Sequence, residues 1–361
     1  MTTKEQAKTP TLRVGGVPEH FNLPWHQGID GGDFEQNGVK VSWEDCPKGT
    51  GQMRSKLKDD ELDVAVILTE GVTQAIAKGE IDARIAQVYV QSPLYWGIHV
   101  AADNTNIQSL KDLEGKKVGV SRIGSGSDLM ASVCAFENES KLPETEEKII
   151  LGNLDGLTEG IQEGKADYFM WEHFTTRHRV DSGELRRVTD FPTPWAPFVI
   201  AVSEKALREK PEAVERMLEV INAKTQAMNE RVNKALEASK KGDESLLDQL
   251  AEEFKAKYPK YSAQDIKDWL QFTKCQWSQA QVPAQTLDKV QAILVETKQL
   301  DAKQQKSSTD LTRTFEASRN NNLFTSASLA RGHRPLDQQR RATAIRQTQK
   351  SQATRKPSRS I

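Results

Sequence analysis

The stretch DVAVILTEGVTQAIAK, residues 63–78, runs an unbroken apolar segment straight into a small polar turn and then into a helical repeat. Val64, Ala65, Val66, Ile67 and Leu68 contain no polar residue at alternate positions. That predicts a central parallel strand covered on both faces rather than a half-exposed one. Thr69-Glu70-Gly71 then falls at the carboxyl end of this strand, where open α/β sheets hold ligands and the next helix has unpaired backbone N–H groups. Thr69 on its own also reads as a plain helix cap. Repetition of the pattern elsewhere in the chain is what favours the ligand-turn reading.

Strand-like runs recur at Leu12–Gly15, Val39–Trp43, Val64–Leu68 and Arg84–Val88, separated by helix-length segments, which implies right-handed βαβ units and a mostly parallel sheet. Ser92-Pro93-Leu94-Tyr95-Trp96-Gly97 leads into Ile98–Ala102, and a second series follows at Lys117–Ser121, Lys148–Leu151, Tyr168–Trp171 and Leu185–Val188. The Pro-rich stretch Phe191–Pro197 cannot be helical or lie mid-sheet, and Phe198–Val202 resumes a strand, so the chain is expected to cross back there. The expected organisation is a first lobe from residues 11–97 and 197–300 and a second from 98–196, joined by two crossings that form a hinge. Beyond the second crossing the pattern is helical, with Pro211 at a helix start and further helices at Glu244–Lys257, Ser262–Phe272 and Ala284–Leu300.

A chain of 361 residues with 37 % apolar content has enough material for two cores. Its net charge of -1 hides an asymmetry: residues 302–361 hold 13 Lys/Arg against three Asp/Glu, so the remainder is acidic. With no periodicity and only Phe315 and Phe324 as aromatics, residues 301–361 read as a disordered basic tail, dispensable for folding. The tail lacks the aromatic interleaving of a nucleic-acid binder, so no nucleic-acid partner is expected. No apolar run reaches the ~18 residues of a membrane span, and the polar start lacks the apolar core of a secretion signal, so the expected location is cytoplasmic. Cys46, Cys134 and Cys275 are odd in number and widely spaced, which indicates neither a disulfide framework nor a metal site.

Candidate ligand-binding positions fall at the predicted strand ends. The loop Arg122–Asp128, with Gly124, Ser125 and Ser127, leads from a strand into a helix N-terminus, a place suited to an anion or a carbonyl. It fails the dinucleotide GxGxxG spacing and lacks a phosphate-loop lysine. Gly16, His20 and Trp25 lie along the exit of the first strand, where glycine admits close backbone approach and the aromatic makes a ligand wall. Trp171 and Glu172 hold, in the second series, the place of Thr69, Glu70 and Gly71 in the first, and Trp195 sits in the second crossing. The tryptophans suggest stacking on a flat ligand. Glu70, Glu172 and Asp128 would make the cleft acidic and suited to an amino-substituted or pyrimidine-like compound, with Arg122 and Arg177 as nearby cations. No GxSxG, HExxH or paired Cys–His motif is present, and no catalytic residue, metal or cofactor is assigned.

Two lobes joined by two crossovers, the DVAVILTEG turn, the SPLYWGIHV crossing, LKDLEGKKVGVSRIGSGSD and ADYFMWE together resemble type 2 periplasmic-binding-protein domains over about residues 11–300. The resemblance is closest to solute receptors for nitrate, sulfonates, taurine and thiamine pyrimidines, and to fungal intracellular proteins of the same fold. It implies an α/β, two-lobed fold that closes over a small molecule, with the turns at Thr69–Gly71, Gly124–Asp128 and Trp171–Glu172 facing the cleft. One branch of that superfamily is a synthase of the thiamine pyrimidine precursor that uses a histidine, lysine-bound pyridoxal phosphate and clustered cysteines. This chain has no clustered cysteines, and the segment leading into Thr69 offers no histidine, so binding is the leading expectation. Synthase-like catalysis is the first alternative, and a scaffold working through the basic tail is the second.

Overall fold

The architecture is taken from a computed structural model, which defines residues 9–140, 147–274 and 276–315. The chain begins with β1 (Thr11–Gly16), α1 (Leu23–Asp30), α2 (Asp33–Gln36), β2 (Lys40–Asp45), α3 (Thr50–Lys58), β3 (Val64–Leu68), α4 (Thr69–Ala77) and β4 (Ala83–Val90). It continues with β5 (Tyr95–Ala101), β6 (Val118–Val120), α5 (Gly126–Glu137), β7 (Lys148–Ile150), α6 (Leu154–Gln162), β8 (Tyr168–Glu172), α7 (Arg177–Asp181) and β9 (Leu185–Pro192). After β10 (Phe198–Ser203) come α8 (Glu204–Glu209), α9 (Pro211–Ser239), α10 (Ser245–Lys257), α11 (Ala263–Thr273), α12 (Ala284–Glu296) and α13 (Ser308–Leu311).

The strands form two five-stranded sheets, ordered β2-β1-β3-β10-β4 and β7-β6-β8-β5-β9. In each, the first three strands are parallel, and the strand entering from the other half of the chain runs antiparallel in the fourth place. β5 enters the second sheet and β10 returns to the first, so residues 91–94 and 193–197 are the two crossings.

The apolar run of β3 is explained by its position. Val64, Val66 and Leu68 point into one cluster of the core, while Ala65 and Ile67 point into another on the opposite face. β10 divides in the same way, with Phe198, Ile200 and Val202 on one side and Val199 and Ala201 on the other. A strand with helices over both faces has no position that tolerates a polar side chain.

α9 packs against α1, α10 and α11 as a buttress of the first sheet. The carboxyl-terminal helices also reach the second lobe. Arg177 of α7 pairs with Asp268 of α11 and lies 3.6 Å from Asp265, the Phe272 ring stands 4.7 Å from Tyr95, and Lys289 of α12 lies 2.9 Å from Glu137 of α5.

The tail differs from the sequence expectation. Order continues past residue 301: Asp301 caps a short 3-10 turn at Ala302–Gln304, α13 follows, and Leu311 is wholly buried beside Val282, Leu287 and Ile85. Arg313 N donates to Ile85 O at 3.0 Å, and Thr312 forms a parallel bridge with Ile85. One leucine at the right depth anchors a segment whose composition is polar, so residues 301–315 pack with the first lobe instead of belonging to the expected tail. The rest of the expected tail, 316–361, lies outside the described residues, as does Cys275; Cys46 and Cys134 are buried free thiols, raised by desolvation.

Candidate functional site

A cleft of about 790 Å³ lies between the lobes, within the range of small-molecule sites. It is lined from the first lobe by Val17–Glu19 after β1, by Pro47–Thr50 before α3, and by the ends of β3 and β10. The second lobe contributes the β6–α5, β7–α6 and β8–α7 loops, and Lys260 reaches in from the loop between α10 and α11. Every contributing parallel strand presents its carboxyl end, as expected for an α/β sheet.

Three helices begin on this cleft. α3 starts after Gly49, which has φ +70° and no side-chain cap. α5 starts after Ser125, whose hydroxyl accepts from Asp128 N at 3.4 Å, and α6 starts after Asn153, whose carboxamide oxygen accepts from Gly156 N at 2.9 Å. The first N–H groups of each turn have no intrahelical acceptor, and their aligned dipoles place partial positive charge there. Hydroxyls accompany them: Ser127 Oγ accepts from Ser121 N at 3.0 Å and lies 3.0 Å from Ser125 Oγ. Gly126 allows α5 to start against the hinge, since a Cβ there would stand 2.9 Å from Trp96 and 3.2 Å from Leu68.

The opposite pole is acidic. Glu172 Oε2 accepts from Thr175 N at 2.7 Å and from Thr175 Oγ1 at 2.8 Å. Glu19, partly covered, is pushed above the ordinary carboxylate range by desolvation, an effect that Lys260 opposes and Glu172 reinforces. Trp96, Trp171, Leu68 and Phe198 supply apolar wall between the poles.

Several expected site residues lie elsewhere. Trp25 is wholly buried, packed 5.7 Å from the Phe34 ring and near Trp43 and Tyr89, so it belongs to the first-lobe core. His20 is buried, with its ring 3.9 Å from Trp269 and 4.7 Å from Tyr261; desolvation depresses it to about 3 and keeps it neutral. Gly16 serves close packing, because a Cβ there would meet the Trp43 ring at 2.5 Å. Gly71 likewise admits the Thr50 methyl group. Thr69 donates to Ala196 O at 2.6 Å and so fastens the second crossing. Trp195 and Glu70 are buried against one another, the indole Nε1 donating to Glu70 Oε2 at 2.8 Å.

Asp128 accepts from Gly124 N at 2.8 Å and pairs with Lys148 at 2.7 Å, away from the cleft lining, and Arg177 is engaged by Asp268. Of the three acids expected to set the cleft's charge, only Glu172 lines it. Of the expected positions, Ser125, Ser127, Trp171 and Glu172 line the cleft. Lys48, Thr50, Glu19 and Lys260 were not singled out from sequence. The Pro47-Lys48-Gly49 turn before a helix was a readable signal for the first two; Lys260 arrives from a helix hairpin more than 200 residues away, for which the sequence carries no signal.

The two sheets with exchanged fourth strands, closed around a cleft at their carboxyl ends, decide the fold. The chain has the two-lobed type 2 periplasmic-binding-protein fold. A family model described as Ca3427-like PBP matches residues 96–191, which is the second lobe from β5 to β9. The CA3427 gene product of Candida albicans, described as defining a new family with the generic periplasmic-binding-protein fold, is 27 % identical over 84 % of this chain and 94 % of its own, with a TM-score of 0.67. The alkanesulfonate-binding protein SsuA of Xanthomonas axonopodis pv. citri, solved with MOPS, superposes with a TM-score of 0.64 at 14 % identity, over 84 % of this chain and 98 % of its own. The nitrate-binding protein NrtA of Synechocystis PCC 6803 gives a TM-score of 0.55 at 14 % identity, over 81 % of this chain and 82 % of its own. No curated protein matches the sequence. This periplasmic-binding-protein-like chain thus shares its two-lobed fold with solute-binding proteins, and no helix among the described residues is long and apolar enough to cross a membrane.

Proposed function

We propose that the protein binds a small organic solute in the interlobe cleft, and that the solute carries an anionic headgroup, an apolar body and a hydrogen-bond donor at its far end. The observation that carries this reading is the convergence of the α3, α5 and α6 amino termini on one cleft. Their free N–H groups, with Arg122 and Lys48, suit an anion. Trp96 and Trp171 suit a flat or aliphatic body, and Glu172 with Glu19 suits an amine or amide donor. A ligand touching both lobes stabilises the closed arrangement in proportion to the contacts it makes only there.

The reading replaces the amino-substituted or pyrimidine-like compound expected from sequence. With Glu70 and Asp128 outside the cleft lining, cations match acids there, so the acidic bias that would select a cation is gone.

Calorimetry of the purified chain against short alkanesulfonates, amino acids, aminosulfonates and aminopyrimidines tests this. Anion-headed compounds should bind, and Trp171→Ala should weaken them by about tenfold or more. Glu172→Gln should weaken those that carry an amine and spare those that do not. Binding of cationic aminopyrimidines alone would overturn the headgroup assignment, and no binding by any class would overturn the cleft as a solute site.

A further inference from the structure

A second recess, of about 770 Å³, opens between the lobes and shares only Arg122 with the solute cleft. Six cationic side chains line it: Arg54, Lys58, Lys78, Arg122, Lys148 and Lys298. Its two carboxylates are already engaged, Glu80 by Arg54 and Asp128 by Lys148 at 2.7 Å. Lys58 and Lys298 are exposed and make no ion pair among the described residues.

Arg122 is the informative member. Its guanidinium lies across the first turn of α3, where a Cβ at Gly51 would stand 2.0 Å from Nη2. Among the described residues it makes one hydrogen bond, donating to Lys48 O at 3.1 Å, and no ion pair. Desolvation, with Arg54 beside it, holds its pKa below the ordinary value, so a partly buried cation faces another cation and a neutral carbonyl. Arg54 approaches from the other lobe, with Nη1 bonded to Gln74 Oε1 at 2.9 Å and 3.9 Å from where a Gly124 Cβ would sit. Uncompensated, clustered cations in a recess make a standing cost that a multiply charged anion relieves. Planar guanidinium forks match the paired oxygens of a tetrahedral oxyanion.

We propose that this recess binds a small, multiply charged phosphate-type oxyanion, either free or as the phosphoryl group of a small molecule, distinct from the solute of the main cleft. The walls favour a small anion over a polymer, because the cations line a concavity built from α3, α4, the β6–α5 loop and the end of α12 rather than a stripe along one face. Arg54, Lys58 and Lys78 come from the first lobe and Arg122 and Lys148 from the second, so the anion also ties the lobes together.

The test is calorimetry of the full chain with sodium pyrophosphate, inorganic phosphate and ribose 5-phosphate at low salt, repeated with Lys58→Gln/Lys298→Gln and with Trp171→Ala. Pyrophosphate or the sugar phosphate should bind at least tenfold tighter than phosphate. The double lysine variant, melting at the wild-type temperature without ligand, should lose tenfold or more of that affinity, and Trp171→Ala should keep it. Tighter pyrophosphate supports the free anion, and tighter ribose 5-phosphate supports a phosphorylated molecule. Absence of binding, undiminished affinity in the lysine variant, loss confined to Trp171→Ala, or displacement of pyrophosphate by a lower concentration of a short oligonucleotide would each overturn the proposal. The solute experiment above uses different ligands and residues, so either reading can fail alone.

Discussion

The indole of Trp195 donates to the carboxylate of Glu70 at 2.8 Å across 125 positions of sequence, joining the second crossing to the first turn of α4. Thr69, the neighbour of Glu70, donates to the carbonyl of Ala196 at the same junction. Two adjacent residues of one turn thus clamp the second crossing between the lobes.

That carboxyl group gives a pH signature. Desolvation raises Glu70 from 4.5 to about 7, opposed by the Trp195 hydrogen bond, and its Oε1 has no partner among the described residues. Because the folded pKa is raised, the protein is most stable, as far as this group goes, below about pH 4.5 and loses that stability as pH rises through 7. Glu70→Gln should therefore gain on the wild type by roughly 3 kcal/mol between pH 4.5 and 8. Melting curves of both proteins across that range check it; a constant difference would show that Glu70 does not titrate there.

His20 has the opposite sign. Its folded pKa is depressed to about 3, so its contribution is present above pH 6.5 and is lost as pH falls from there toward 3. His20→Phe, which keeps a ring between Tyr261 and Trp269, should resist acid better than the wild type while leaving solute affinity at neutral pH unchanged. The acid limb of a denaturation profile, together with one neutral titration, measures both.

Leu311 should matter although it lies in a polar stretch. Leu311→Ala should cost about 2–4 kcal/mol, as for other buried leucines. A chain ending at Leu300 should melt below one ending at Phe315, read by differential scanning calorimetry. Equal melting temperatures would mean that α13 adds nothing to the core.

Gly126 sets how near α5 comes to the hinge. Gly126→Ala forces Trp96 and Leu68 apart from the helix and should cost about 1–3 kcal/mol in urea unfolding. It should also weaken solute binding more than Gly124→Ala, because Gly126 lines the solute cleft and Gly124 does not.

The fold was legible where one physical constraint dominated. In β3, burial on both faces leaves no choice but apolar residues, and the two crossings announce themselves through Pro93 and Pro192–Pro197. The candidate site was half legible. Ser125, Ser127, Trp171 and Glu172 follow strands directly, so their position at the cleft comes with the topology. Glu70 occupies the matching place in the first lobe and yet turns inward, because a tryptophan from a distant crossing meets it. Nothing local to Glu70 tells those outcomes apart. Lys260 and the Arg54–Arg122 approach depend on how helices and lobes are set against each other, which short-range patterns do not encode.

The outer side of β4 carries a further consequence. β4 ends the first sheet, and a bare edge of its length offers a ladder of donors and acceptors to any extended chain. Here Val88 N donates to Ala280 O, Ser278 N to Tyr89 O, Gln91 N to Gln276 O and Arg313 N to Ile85 O, while the Gln281 carboxamide donates to Ala86 O. The carboxyl-terminal segments therefore act as a hem along β4, and their loss would turn that edge into a template for strand addition by another copy.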